Sequence, residues 1–220
     1  MIKHILFDCD GVLVDTEIVA AHRFVEKMAP LGIDLTVDYY LTVHTGSTFT
    51  AVLQHYLEAT HSTEDRIKLM RELEKEVADT LVGIENVEAM LIPLDIDKSI
   101  VSNSHIAAVQ DAVDKVGITK YFTGHIFSSE SVENPKPAPD VYHLALQTLG
   151  LKSNELVVVE DSLTGATAAK TAGLEVIGFT GASHILPGHH DKLLAMGIDS
   201  IANSMDELSI VLQKRLTPIT

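Results

Sequence analysis

The sequence predicts an α/β fold, an open parallel sheet with an all-helical segment inserted after its first strand. Three observations carry that expectation. Short apolar runs stop abruptly at polar residues: Ile5-Leu6-Phe7 before Asp8, Ile100-Val101 before Ser102, and Leu156-Val157-Val158-Val159 before Glu160. From Ser99 onward, strand-like runs and segments of helical period take turns, as in a sheet wound with crossover helices. Between Thr16 and Thr80 the periodicity is helical, with no convincing strand alternation. Residues 1–15 with 81–220 are therefore expected to form a Rossmann-like core, and residues 16–80 an all-helical cap.

The elements follow in order. Ile2, Ile5, Leu6 and Phe7 make the first strand, and Gly11 and Asp15 bracket the turn after it. Phe49, Val52, Leu53, Tyr56 and Leu57 share one helix face, with Ser47 or Thr48 placed to cap it. Ile67, Met70, Leu73 and Val77 mark a second, highly charged helix. After the strand Ser99–Ser102, Ile106, Val109, Val113 and Val116 line one side of a helix. Pro139 suits the first turn of another, running to Leu149. The β-branched run Leu156–Val159 suits a parallel strand buried on both faces. An alanine-rich helix from Thr164 to Ala172, a strand from Glu175 to Phe179, an edge strand at Ser200–Ala202 and a helix from Met205 to Val211 complete the chain.

Composition narrows the partners. With 46% apolar residues in 220, the chain can bury a full core without staples. Sixteen basic against 31 acidic residues give a formal charge of −15, which disfavours nucleic acid while leaving room for a small anionic substrate in a local site. No stretch approaches the roughly 18 apolar residues that a membrane span needs. The first residues meet Asp8 too soon for a secretory signal, and Cys9 is the sole cysteine, so no internal disulfide forms. These features together fit a reducing cytosol. Oligomeric state, monomer or dimer, stays open.

The strand ends carry the chemistry, because ligands of open α/β sheets gather there. Asp8-Cys9-Asp10-Gly11, Ser102-Asn103-Ser104 and Glu160-Asp161-Ser162 follow three strands, and Lys136 lies in a proline-rich loop. Crowded carboxylates call for a cation, and oxygen-only ligation suits Mg²⁺. A lysine and a strand-end hydroxyl suit a phosphoryl group. An Asp nucleophile attacking phosphorus would give an aspartyl-phosphate. Taken singly, each piece has a plainer reading: Asp10-Gly11 as a turn pair, Ser102 as a helix cap, Glu160-Asp161 as a cap, Lys136 as a solvated lysine. An EF-hand is excluded, because the twelfth position counted from Asp8 is Val19 rather than Glu.

In combination and in this order, the pieces resemble the haloacid dehalogenase-like hydrolase superfamily. Phe7–Asp15 is similar to its first motif, Ser102-Asn103-Ser104 to the second, Lys136-Pro137-Ala138-Pro139-Asp140 to the third and Glu160–Gly165 to the fourth. The resemblance spans essentially the whole chain, cap included, and is nearest to the β-phosphoglucomutase-like phosphatases and mutases. It implies Asp8 as nucleophile and Asp10 as acid and base. It also implies Mg²⁺ held by Asp8, Asp161 and the Asp10 carbonyl, with Glu160 close by. Ser102 and Lys136 would hold phosphoryl oxygens, and Asn103 would support the loop at the substrate side. One carboxylate must stay ionised to attack while its neighbour moves a proton.

Within the superfamily, the retained Asp10 argues against dehalogenation, and the first motif differs from that of phosphonatases. Mutases carry a cap histidine where this chain has Ala20. His22 lies roughly 200° further around a helix. They also carry an arginine after a cap glycine, absent from Gly46-Ser47-Thr48-Phe49. A phosphatase acting on a small phosphorylated metabolite is therefore expected. A phosphosugar mutase and a non-enzymatic metabolite-binding protein on the same fold are the alternatives. Glu17, His44, Thr45, Ser47 and Thr48 are the candidate cap contacts. Glu17 suits sugar hydroxyls and equally suits a helix-start acid favoured by the dipole. Thr45 to Thr48 suit substrate or a helix cap, and His44 suits packing better. Cys9 is expected beneath the loop. His184, His189 and His190 are expected in a loop without structural metal, before a helix beginning at Asp191. Val82-Gly83 is the return segment from the cap.

Overall fold

The computed structural model describes residues 1–44, 47, 49–122 and 124–216. The chain divides into two compact units, Met1–Val14 with Gly83–Thr220, and Asp15–Val82.

The first unit is built on six parallel strands: β1 His4–Phe7, β2 Asp97–Ser102, β3 Ile126–Ser128, β4 Leu156–Glu160, β5 Glu175–Phe179 and β6 Ile201–Ala202. Their order across the sheet is β3-β2-β1-β4-β5-β6. The order reverses beside β1, the strand from which winding proceeds both ways, so a crevice opens at its carboxyl end. Every residue of β1 and β4 is buried, which is why these strands read as unbroken apolar runs. Register aligns the polar ends. Phe7 lies opposite Ile100 on one side and Val159 on the other, so Asp8, Ser102 and Glu160 emerge at one edge.

The strands are joined by the crossover helices α6 Ile106–Val116, α7 Asp140–Leu149, α8 Leu163–Thr171 and α9 His189–Ala195, and α10 Met205–Leu216 follows the last strand. One core cluster joins Leu6, Val101, Val158, Tyr142, Ala166 and Leu193. Strand β3 was not foreseen from the sequence. Its three residues are too few to show a period. The short helix α5, Val87–Leu91, escapes for the same reason. Helix α9 starts at His189 rather than Asp191, because Gly188, at φ +85°, ends the preceding loop there.

The second unit shows four α-helices among its described residues: α1 Thr16–Met28, α2 Val37–His44, α3 Phe49–Leu57 and α4 Thr63–Thr80. Phe24, Tyr40, Leu53, Leu57 and Leu73 fill its own core. Helix α4 opens with a reciprocal cap. Ser62 Oγ accepts from the Asp65 N–H at 3.1 Å, and the Ser62 N–H donates to Asp65 Oδ2 at 3.3 Å. The unit's two ends are tied where the chain enters and leaves, by the Asp15 N–H donating to the Val82 carbonyl at 3.0 Å. No helix among the described residues is long and apolar enough to cross a membrane.

Candidate active site

Strand β1 carries Asp8 to the edge, and the Asp8 N–H continues the ladder to the Val159 carbonyl at 2.9 Å. The chain then turns sharply. The Leu13 and Val14 N–H groups both donate to the Cys9 carbonyl, at 2.8 and 3.1 Å. Cys9 is buried beneath this loop, and burial followed by the Asp10 and Asp8 carboxylates pushes its thiol well up, so it stays protonated. Gly11 adopts φ +77°, and a Cβ there would overlap the Asp161 carboxylate.

Lys136 is the hub. Its ammonium donates to Asp8 Oδ1 at 2.6 Å, Glu160 Oε1 at 2.7 Å and the Val101 carbonyl at 2.9 Å. It also lies 5.3 Å from the centre of the Tyr142 ring. Glu160 is fully buried and answered on both oxygens. Oε1 also accepts from the Tyr142 hydroxyl at 3.2 Å, and Oε2 from the Ser162 hydroxyl at 3.0 Å. Gly165, in the first turn of α8, admits this carboxylate, since a Cβ there would overlap it.

Asp8 and Lys136 shift in the same direction for different reasons. Burial, then the Glu160 carboxylate, raises Asp8 well above the usual carboxylate range, with Lys136 opposing. Burial pulls Lys136 down, but Asp8 and Glu160 together outweigh it and hold the lysine well above its ordinary value. Lys136 is thus a fixed cation. Asp8 is a carboxylate that needs more positive charge nearby than one lysine supplies, and a bound divalent ion inverts the sign of such a shift.

Asp8, Glu160 and Asp161 each bring a carboxylate oxygen within 4.8 Å of one another. The donor set is oxygen only and buried, so a hard cation such as Mg²⁺ fits it. Lys136, Tyr142 and Ser162 already surround Glu160, which leaves Asp8 and Asp161 as the better ligands.

The loops after β2 and β3 complete the edge. Asn103 clasps the backbone of Lys136 in both directions: Nδ2 donates to the Lys136 carbonyl at 3.1 Å, and Oδ1 accepts from the Lys136 N–H at 3.0 Å. Its side chain therefore places the lysine loop. Ser102 is buried, and its hydroxyl accepts from the Ser104 N–H at 2.9 Å. The Ser104 hydroxyl donates to Asp10 Oδ2 at 2.9 Å, and Ser128 ties down the Ser104 carbonyl at 2.7 Å. Sequence reasoning assigned no role to Ser104, Ser128 or Tyr142. Ser104 stood inside the second motif and was legible there. Ser128 ends the unforeseen strand and carries no local signal.

His184, expected in a loop without structural metal, lies in the loop between β5 and α9 and is buried beside Asp161, with Nε2 at 3.1 Å from Asp161 Oδ2.

In the helical unit, Glu17 sits half-buried in the first turn of α1. Tyr40 is pushed well up by burial first and by the Glu17 carboxylate second. Ser47 is exposed, and its N–H donates to the His44 carbonyl at 2.8 Å. His44 is buried, its Nε2 2.9 Å from the Tyr56 hydroxyl. Thr45, Gly46 and Thr48 lie outside the described residues.

Residues 5–179 match the haloacid dehalogenase-like hydrolase family. The chain is 25% identical to 6-phosphogluconate phosphatase of Escherichia coli K12, covering 87% of this chain and 89% of that one. A haloacid dehalogenase-like protein of unknown function from Agrobacterium tumefaciens C58 superposes with a TM-score of 0.85 at 31% identity, over 99% of this chain and 100% of the other. A hydrolase of the family from Deinococcus radiodurans R1, solved with bound phosphate and sodium, gives a TM-score of 0.82 at 27% identity over 99% of each chain. The chain belongs to the haloacid dehalogenase-like hydrolase family and is an enzyme of that family.

Proposed function

We propose that this hydrolase is a Mg²⁺-dependent phosphatase that cleaves the phosphomonoester of a small sugar or sugar-acid phosphate through an aspartyl-phosphate on Asp8. One observation carries the reading: a buried ammonium, Lys136, joined at once to Asp8 and Glu160 at the aligned ends of β1 and β4. The phosphatase relative and the phosphate-bound neighbour support the substrate class.

Asp8 attacks phosphorus, forming an Oδ–P bond as the ester P–O bond breaks. Asp10, held by Ser104, gives its proton to the departing alkoxide. The same carboxylate then takes a proton from water, whose oxygen displaces phosphate from Asp8 and restores it. Lys136 neutralises charge on the transferring oxygens, and the Ser102 hydroxyl is placed to hold one of them. Asn103 keeps the lysine loop in reach. When bound by Asp8, Asp161 and the Asp10 carbonyl, Mg²⁺ supplies the extra positive charge that keeps Asp8 ionised beside an anionic phosphate. The setting is the cytosol.

Water is the acceptor in this reading. Ala20 and the arginine-free stretch Gly46–Phe49 offer no second phosphate clamp of the kind a mutase needs. The test is a phosphate-release screen with Mg²⁺ over sugar, sugar-acid and polyol phosphates. Hexose-phosphate isomer conversion is followed in parallel, with and without a sugar bisphosphate. Free phosphate in step with substrate loss is expected. Rapid isomer conversion with little phosphate would replace the phosphatase by a mutase.

A further inference from the structure

The loop between β5 and α9, together with the first residue of α9, reaches Asp161 twice. His184 Nε2 lies 3.1 Å from Asp161 Oδ2, and His189 Nε2 lies 2.6 Å from the Asp161 backbone carbonyl. A carbonyl only accepts, so His189 carries its proton on Nε2. An ionised carboxylate only accepts as well, which places a proton on His184 Nε2. One residue is thus held at its side chain and at its main chain by two imidazoles, one from the loop and one from the start of α9. A third feature belongs to the same contact. Gly11, at φ +77°, faces both groups, and a Cβ there would overlap Asp161 Oδ2 and lie 2.8 Å from His184 Cε1. The nucleophile loop is therefore shaped around the His184–Asp161 pair.

We infer that His184 is a positioning residue for the metal site, fixing the plane of the Asp161 carboxylate for a divalent cation, with His189 anchoring the backbone beneath it. The inference rests on the reading of Asp161 as a metal ligand. Carboxylates that bind metal are themselves held by hydrogen bonds, and loss of such a partner typically weakens metal binding roughly 10- to 100-fold. Neither histidine touches the reacting atoms in this assignment. The loop's role is to remove the rotational freedom of one carboxylate before the ion arrives, so that the ion does not have to order it.

The experiment measures Mn²⁺ binding to the whole protein without substrate, from the loss of the free Mn²⁺ paramagnetic resonance signal, with circular dichroism and thermal unfolding as checks of fold. Wild type should bind one ion, and Asp161→Asn should lose it. If wild type binds none, or Asp161→Asn binds as well as wild type, the underlying metal reading fails. If both behave as expected, His184 is tested by its own series. His184→Ala should weaken Mn²⁺ roughly 10- to 100-fold. His184→Gln puts an amide N–H where Nε2 was and should recover most of the affinity. His184→Asn, whose amide falls short at the Nδ1 position, should not. His189→Ala should weaken binding less. The difference between Gln and Asn is one that a merely space-filling histidine would not produce, and it remains readable if the alanine variant does not fold. Folded His184 variants that all bind Mn²⁺ like wild type would overturn the assignment while leaving the metal reading intact.

Discussion

The carboxyl edge of the sheet and the helical unit 15–82 use polar residues in opposite ways. At the sheet edge they are buried and tied several times over. Glu160, with no exposure, takes hydrogen bonds from Lys136, Tyr142 and Ser162, and Lys136 bridges three acceptors. In the helical unit the ion pairs sit at the surface. Lys27 meets Glu72 at 3.3 Å and Glu76 at 2.8 Å, all three part-exposed, while Phe24, Tyr40 and Leu53 make up the interior. A buried network depends on each member, because any group left unpaired there bears its full desolvation cost. Surface pairs contribute about 0–1 kcal/mol and tolerate loss. The contrast sets where substitutions will be felt, and in which measurement.

The largest effect is expected at Asp8. Asp8→Asn keeps the shape and removes the nucleophile, so turnover should fall by about 10⁴-fold or more and no phosphoenzyme should form. Acid-quenched protein after incubation with labelled substrate gives the readout, and label on any other residue would break the assignment. Asp10→Asn should lose roughly 10²–10⁴-fold, the ordinary scale of general acid–base catalysis. With an activated ester, whose leaving group needs little protonation, this variant should accumulate more phosphoenzyme than wild type, because water lacks its base.

Gly165→Ala sharpens the comparison on the stability side. In a helix, alanine ordinarily gains about 1 kcal/mol over glycine. Here the new Cβ overlaps a carboxylate that Lys136, Tyr142 and Ser162 hold in place, so it cannot swing aside. A net loss of about 1–3 kcal/mol is expected from overpacking, together with reduced turnover as Lys136 is displaced. Ser62→Ala breaks the α4 cap and should cost about 1 kcal/mol with kcat unchanged. Urea unfolding and kcat, measured on both variants, test the pair. A Gly165→Ala protein as stable and active as wild type would remove the distinction between the two regions.

The same contrast explains what could be read from the sequence. The sheet was legible because buried parallel strands leave unbroken apolar runs, and Asp8, Ser102 and Glu160 each mark where a run stops. The main clusters of the edge followed, since four short motifs carry them. What escaped lacks a local signal. Strand β3 has three residues, and Ser128 at its end acts only through Ser104. Tyr142 reads as one more apolar position of α7, although its hydroxyl serves Glu160. His184 lies 23 residues after Asp161, and only the fold shows that β5 returns it there. In the helical unit, polar residues on solvated faces have no pattern that separates a substrate contact from a surface group. Glu17 keeps both of its readings for that reason.

The smallest effect is set by pH and involves one buried histidine from each of the two compact units. His4 in β1 is buried, its Nε2 2.9 Å from the Ser99 hydroxyl. Burial lowers it from 6.5, helped by Lys98 and His125 and opposed by Asp97. His44 in α2 is lowered from 6.5 by burial and then by His55. A histidine whose folded value is depressed binds its proton more readily when unfolded. Stability from these groups is therefore constant above about pH 6.5 and falls as the solution is acidified below it, since the unfolded chain then takes up the protons. The slope flattens again once the folded histidines protonate as well. His189 is lowered too and acts in the same sense. Urea midpoints between pH 8 and pH 5 should show the decline in wild type, and His4→Gln and His44→Gln should each make it shallower. A decline unchanged in both variants would assign the acid sensitivity elsewhere. A change in only one would show which of the two units gives way first in acid.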